Sequence, residues 1–265
     1  MIGVAASDWQ PPECHQRQNT VPRPQQLTVF CDFDGPIVDV SNRYYMTYKQ
    51  GLVDAQAAYQ AKGITLPIQL LEKQQFWQMK QERVPDVEIA MRSGLQGEQI
   101  DFFLGRVIEI VNQPALLHQD RLQPGVRWAL ALLHSQGVRL VLVTLRAESQ
   151  ATQILRNYGL TRLFSGIYGT SDRDAAYYNQ ADLKTQLLAS AVAEQSLLTG
   201  CPISGWMVGD TEADLLAGQA LSIPTIALTC GIRSGRYLNQ FQPTCLHTDL
   251  LAAAHYLLEK LKVEG

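Results

Sequence analysis

The stretch Leu27-Thr28-Val29-Phe30-Cys31-Asp32-Phe33-Asp34-Gly35-Pro36-Ile37-Val38-Asp39 decides how the rest of the chain is read. An apolar run rich in β-branched and aromatic residues ends abruptly in two carboxylates one residue apart, then glycine. Such a run predicts a buried strand that delivers acidic groups to its C-terminal end. In an open α/β sheet, that is where ligands bind. Alternate residues of a strand share a face, so Asp32 and Asp34 are placed to serve one site. Two carboxylates this close repel, and a cation is the usual means of keeping both ionised. The plainer reading is a strand that runs into an Asp-Gly turn; a chance D-x-D-G in a chain this long is about a few-per-cent event.

Bulk properties narrow the class. With 265 residues the chain can bury one large core, or a core plus an insert. A formal net charge of −3 offers no basic excess, which argues against a nucleic-acid-binding surface. No apolar run reaches the length of a bilayer span, and the N-terminus lacks the layout of a secretory signal, so no membrane partner is expected. Five cysteines, odd in number and without a C-x-x-C pair, predict reduced thiols and a cytoplasmic protein. Cys31 reads as a small buried hydrophobe. The five histidines show no ligand spacing, and no feature assigns an oligomeric state.

The texture of the chain changes three times. Residues 1–25 are polar and proline-bearing and read as a flexible leader. Residues 40–122 carry helix-like segments at 41–62, 68–83, 86–94 and 98–112, the last with Ile100, Phe103, Leu104, Val107, Ile108 and Val111 on one face. Pro67 and Pro85 stand at expected helix starts. From Pro124-Gly125 onward, strands alternate with helices: strands at Val138–Thr144, near Ile167-Tyr168, at Gly205–Gly209 and at Thr225–Thr229, with helices at 126–136, 147–158, 182–198, 213–220 and 249–262. That alternation implies a parallel sheet with right-handed crossovers. The expected fold is α/β, a Rossmann-like parallel-sheet core (26–39 and 123–265) with an all-helical cap domain (40–122) inserted after the first motif.

Further polar groups stand at the strand ends. Thr144 closes its strand, followed by Leu145 and Arg146. Lys184 opens a helix after a loop holding Asp172, Arg173, Asp174 and Asp182. Gly209-Asp210-Thr211-Glu212-Ala213-Asp214 closes another strand. Singly, each has an ordinary reading as a helix cap, a solvated lysine or an acidic first turn. Together, at equivalent strand ends, they fit phosphoryl transfer through an aspartyl intermediate. Asp32 would attack phosphorus. Asp32, the Asp34 carbonyl and Asp210 offer a hard cation such as Mg2+ the oxygen ligands it needs, with Asp214 binding it directly or holding its waters. Asp34 would protonate the leaving alkoxide and then deprotonate the hydrolytic water. Thr144 and Lys184 would hold the phosphoryl oxygens, with backbone amides of Phe33, Asp34 and Leu145 as further donors.

These four elements, D-x-D-G at 32–35, Thr144, Lys184 and G-D-x-x-x-D at 209–214, resemble the ordered motifs of the haloacid dehalogenase superfamily. The helical stretch falls where its phosphoglycolate-phosphatase-like branch carries an α-helical cap. The resemblance implies nucleophile Asp32, acid/base Asp34, phosphate ligands Thr144 and Lys184, and Mg2+ ligands Asp32, Asp34 and Asp210, with Asp214 direct or outer-sphere. Asp34 sets the chain apart from haloalkanoate dehalogenases and phosphonatase-like members, which lack the second aspartate. The cap-loop motif typical of the mutase branch is absent, the nearest segment being Lys80-Gln81-Glu82-Arg83. The expected activity is a Mg2+-dependent phosphatase acting on a small phosphate ester. A phosphomutase and a non-catalytic phosphate-binding regulator stand as alternatives. Arg146 is the expected substrate contact in the core. Lys80, Arg83 and Arg92 are the basic cap residues to weigh against a solvated helix face, and Tyr44, Tyr45 and Tyr48 read first as packing.

Overall fold

A computed structural model of the chain describes residues 26–172 and 174–264; the expected leader and Arg173 lie outside them. Strand β1 (Thr28–Cys31) begins the core. After a turn, β2 (Val38–Asp39) leads into five helices, α1 (Ser41–Gln60), α2 (Lys73–Gln81), α3 (Asp86–Arg92), α4 (Glu98–Val111) and α5 (Pro114–Leu117). β3 (Arg121–Leu122) returns the chain, followed by α6 (Val126–Ser135), β4 (Arg139–Ala147), α7 (Glu148–Asn157), β5 (Phe164–Thr170), α8 (Ala175–Tyr178) and α9 (Ala181–Thr199). The rest runs β6 (Gly205–Gly209), α10 (Glu212–Ala220), β7 (Thr225–Leu228), α11 (Gly235–Leu238), β8 (Cys245–His247) and α12 (Leu250–Glu264).

The sheet order is β5-β4-β1-β6-β7-β8, and every pairing in it is parallel. Successive strand residues are apolar because both faces are covered. Val29, Cys31, Leu140 and Leu142 face α6, α7 and α12, while Phe30, Val141, Val143 and Met207 face α9 and α10. The chain steps from β1 to one side through β4 and β5, then returns to the other through β6. The crevice created by that reversal opens at the C-terminal end of β1, beside Asp32.

Several boundaries differ from the sequence reading. Strand β4 does not end at Thr144 but runs on to Ala147, with an irregularity in its register against β5 between Val143 and Ala147. Helix α2 starts five positions later than the segment 68–83 implies, and Pro67 starts no helix. Residues before it are held extended: Gln69 N donates to the Ser93 carbonyl (3.0 Å) and Leu71 N to Tyr48 Oη (3.0 Å). A capping box between Glu72 and Gln75 then opens α2. The ribbon of β2 and β3, pairing Val38 with Leu122 and Asp39 with Arg121, has no sequence signature because each strand is two residues long. Tyr48 stacks on Phe76 (4.8 Å between centroids) and meets Phe103 edge-on, so the tyrosines of α1 hold the helical insert together. Among the described residues, no helix is long and apolar enough to cross a membrane.

Candidate active site

The turn after β1 determines where its carboxylates go. Asp32 N continues the sheet pairing by donating to the Val208 carbonyl (2.9 Å). Gly35 then turns the chain at φ +96°, and a Cβ there would lie 2.0 Å from Asp210 Oδ2. Glycine is therefore needed both for the backbone conformation and for the close approach of the two acidic loops. Gly231, on the loop after β7, meets the other side of the same carboxylate; a Cβ there would lie 1.9 Å from Asp210 Oδ2.

Asp32, Asp210 and Asp214 gather at the crevice, each offering an oxygen within 4.8 Å of the others. Lys184, in the first turn of α9, lies 2.7 Å from Asp32 Oδ1 and 2.7 Å from Asp214 Oδ1. Asp214 Oδ2 accepts from the amides of Asp210 (3.2 Å) and Thr211 (3.1 Å) and from Thr211 Oγ1 (2.9 Å). Both Asp214 oxygens are thus engaged in capping α10 and holding Lys184. Asp210 Oδ2 accepts from Ile232 N (2.5 Å), whereas its buried Oδ1 has no hydrogen-bond partner among the described residues.

Burial, with the charges of Asp214 and Asp34 added to it, pushes the Asp32 carboxyl up to about 7 against the opposing pull of Lys184. Burial, Asp32 and Asp214 push Asp210 well above the usual carboxylate range. For Lys184, burial opposes the charge, but Asp214 and Asp32 together outweigh it and hold the ammonium above its ordinary value. Such a set carries more buried negative charge than one lysine balances. An orphaned oxygen, all-oxygen donors and facing carboxylates fit a hard divalent cation such as Mg2+.

Thr144 is buried beside this group, and its Oγ1 accepts from Arg146 N (3.1 Å). The Asp34 side chain turns away from the acidic cluster. Its Oδ2 accepts from Arg43 Nη2 (3.0 Å) and Arg146 Nη2 (3.1 Å), and Arg146 Nε lies 2.9 Å from Oδ1. Asp120 completes a buried quartet, 2.9 Å from Arg43 Nε and 2.7 Å from Arg146 Nη2. The sequence alone does not single out Arg43 or Asp120. They stand 77 positions apart, and no local pattern announces either.

The crevice is lined by Asp32, Asp34, Thr144, Arg146, Asn179 and Lys184, among others, around a cavity of about 20 Å3. That is room for about one water. Two buried donors on its wall, Arg146 Nη1 and Asn179 Nδ2, have no hydrogen-bond partner among the described residues. The helical insert shuts the crevice through the loop between α2 and α3. Arg83 Nε donates to Glu212 Oε1 (3.0 Å), and Ser234 N donates to the Gln81 carbonyl (2.9 Å). Arg233 joins Glu212 Oε2 (2.9 Å) to the Lys80 carbonyl (3.3 Å).

The basic residues of the insert part company here. Lys80 is buried and paired with Asp86 (2.7 Å), which also accepts from Tyr177 Oη (2.7 Å), so it lies on no solvated face. Arg83 is a bridge to the core, and Arg92 is exposed and paired with Glu88. Tyr44 borders the crevice, while Tyr45 and Tyr48 pack within the insert. Asp172 caps its own loop, with Oδ1 accepting from Asp174 N (2.8 Å). Burial raises the Cys31 thiol well above its ordinary range, in keeping with a buried hydrophobe.

Comparison with known proteins adds the lineage. A model of the haloacid dehalogenase-like hydrolases matches residues 29–228. The chain is 31% identical over 128 residues to a phosphoglycolate phosphatase of Pseudomonas fluorescens (strain Pf0-1), which covers 48% of this chain and 44% of that protein. It is 29% identical over 129 residues to pyrophosphatase PpaX of Halalkalibacterium halodurans, covering 48% and 56%. The chain spans about half the length of the curated relatives it matches. Among solved structures, a haloacid dehalogenase-like hydrolase from Streptococcus pneumoniae shares the fold with a TM-score of 0.57 at 20% identity, covering 88% of this chain and 98% of that one.

Proposed function

The chain belongs to the haloacid dehalogenase-like hydrolase family, and on that footing we propose that it is a Mg2+-dependent phosphatase that hydrolyses a small phosphate ester through an aspartyl phosphate. The observation that carries this reading is the buried set of Asp32 and Asp210, with the unpartnered Asp210 Oδ1, beside Lys184 and Thr144 at the switch point of the sheet. In the proposed site, Asp32, the Asp34 carbonyl and Asp210 would hold the metal ion. A bound ion would supply the positive charge that offsets the facing carboxylates and the phosphoryl group, so that one anion could approach another. Asp214, with both oxygens engaged, acts from outside by fixing Lys184 and the loop 210–211.

Asp32 attacks phosphorus and the bond to the leaving oxygen breaks, with the proton for that oxygen coming from Asp34. Water then attacks the acyl phosphate, Asp34 takes a proton from it, and Asp32 is released. Lys184 and Thr144 hold the phosphoryl oxygens. Arg146 Nη1 and Asn179 Nδ2, two buried donors that lack partners, take acceptors on the substrate; an unmet buried donor costs about 1–3 kcal/mol, so each favours a ligand that meets it. The helical insert acts as the cap. A cavity of about 20 Å3 admits no ester while the cap is seated, so binding requires it to lift and turnover requires it to close.

Phosphate release from a panel of small esters and pyrophosphate, with and without Mg2+, tests the reading. Release that depends on Mg2+ is expected, and Asp32→Asn abolishes it without unfolding the protein. A wild-type protein inert on the whole panel, or an active Asp32→Asn variant, refutes the proposal.

A further inference from the structure

Two cavities, each of about 20 Å3, meet at the junction of insert and core, and Tyr44 lines both. One is the crevice. The other is enclosed mainly by the insert, between Phe76 of α2, Ile89 of α3 and Phe103, Val107 and Val111 of α4, with Tyr177 closing it from the core.

Their walls differ in what they leave unmet. The crevice carries two buried donors without partners among the described residues, Arg146 Nη1 and Asn179 Nδ2, so it favours oxygen acceptors. The polar groups around the second cavity are already engaged. Lys80 pairs with Asp86 (2.7 Å), which also accepts from Tyr177 Oη (2.7 Å). Thr47 Oγ1 donates to the Arg43 carbonyl (2.9 Å), and Tyr48 Oη is bonded to Ser93 Oγ (2.8 Å). What this cavity has left to offer is apolar and aromatic surface.

The Tyr44 ring stands between the two and is held there. The Arg43 guanidinium lies 5.2 Å from its centroid, the Lys80 ammonium 5.7 Å, and Trp77 meets it edge-on at 6.3 Å. Both cations are themselves tied down, Arg43 by Asp34 and Asp120 and Lys80 by Asp86. The ring is therefore a fixed wall.

We propose that Tyr44 is a specificity-determining residue, whose ring confines the leaving group to the polar crevice and shuts it out of the apolar cavity in the insert. This rests on the reading of the crevice as a phosphatase site. The wild-type protein then takes esters with short, oxygen-bearing leaving groups and rejects those that carry an apolar ring. Without the phenol ring, the two cavities become one. An apolar cavity on the order of 150 Å3 holds benzene, and the space of a lost ring added to the two cavities reaches that order. The substrates admitted by its removal are arylmethyl phosphates.

The test reads kcat/KM in Mg2+ for benzyl phosphate, relative to whichever small ester or pyrophosphate the wild type turns over fastest. Tyr44→Ala is expected to raise this ratio about 100-fold, a gain of the size that one hydrophobic pocket contributes. Tyr44→Phe keeps the wall and shifts the ratio less than about 3-fold. Leu104 also lines the second cavity, so Leu104→Phe added to Tyr44→Ala fills it and takes back about 10-fold or more of the gain. Tyr44→Val carries the comparison if Tyr44→Ala does not melt cooperatively. A wild type that already prefers benzyl phosphate, an unchanged ratio in the folded truncation, or a Tyr44→Phe ratio equal to that of Tyr44→Ala overturns the inference. So does a gain that Leu104→Phe leaves intact. A wild-type protein inert on the whole panel overturns the phosphatase reading and this inference with it, whereas wild-type turnover with an unchanged ratio overturns this inference alone.

Discussion

Removing the metal ion should make the fold sensitive to pH in an unusual direction. The Asp32 carboxyl rises from 3.8 to about 7 in the folded protein. Between those values the folded chain keeps a proton that the unfolded chain gives up, so stability is fully present below about pH 4 and is lost as pH rises towards about 7. The full difference is about 4 kcal/mol. Because Asp210 rises with it and the site relaxes, about 2–4 kcal/mol is the working range, which in a chain of this size is a fall in Tm of about 5–15 °C. Asp86 and Glu212, which burial would raise but Lys80 and Arg233 hold below their ordinary values, complete their contribution before this window opens. His247 runs the other way, since burial lowers it and stability gained there grows with pH. Subtracting the Asp32→Asn profile removes that background. Calorimetry in chelator is therefore expected to show a Tm that falls between about pH 5 and about pH 8 in the wild type relative to Asp32→Asn, with Mg2+ restoring more at the higher pH. Parallel profiles for the two proteins, or an equal gain from Mg2+ at both pH values, would refute the electrostatic account of the site.

Three further outcomes follow from contacts around the crevice. Gly231→Ala places a Cβ 1.9 Å from Asp210 Oδ2; it should cost about 1–3 kcal/mol and most of the turnover, and an unchanged rate in Mg2+ would contradict the close approach. Glu212→Gln strands the buried Arg233 guanidinium. A loss of about 1–3 kcal/mol and a raised KM are expected, and a variant as stable as wild type would show that the bridge adds nothing. Tyr177→Phe keeps the ring but removes the donor to Asp86. It should lower the unfolding free energy, read from denaturant titration, by about 1 kcal/mol, and no change would mean that this hydrogen bond adds nothing over solvation of its two partners.

The parts of this molecule that were legible in its sequence are those with a local period or a local motif. Phe30, Val141 and Met207 sit in apolar runs, so their strands were visible. Gly205–Gly209 was placed to the residue, and Lys184 fell in a first helical turn as expected. Thr144 was placed beside Asp32 although its strand extends three residues further, because that extension depends on Thr170 pairing with Ala147 across the sheet edge. The quartet around Asp34 had no such signal. Its members lie at positions 34, 43, 120 and 146, and only folding brings them together. Sequence alone leaves Lys80 as either a ligand contact or a solvated cation. It is neither free nor solvated, since Asp86 and the rings of Tyr44 and Tyr177 surround it. Residues 68–72 have helical composition but are held out of the helix by Ser93 and Tyr48, both distant in the chain.

The two short strands that frame the helical insert carry a topological consequence. Asp39 and Arg121 face one another as an antiparallel pair, a separation that a two-residue turn spans in an ordinary hairpin. Seen from the sheet, the whole five-helix assembly is the loop of a β-hairpin. Such a port can take a long insert, a short one or a bare turn without shifting the register of β1 or the path to β4. The sheet and the insert thereby meet at a single junction, which opens this architecture to exchange of one insert for another.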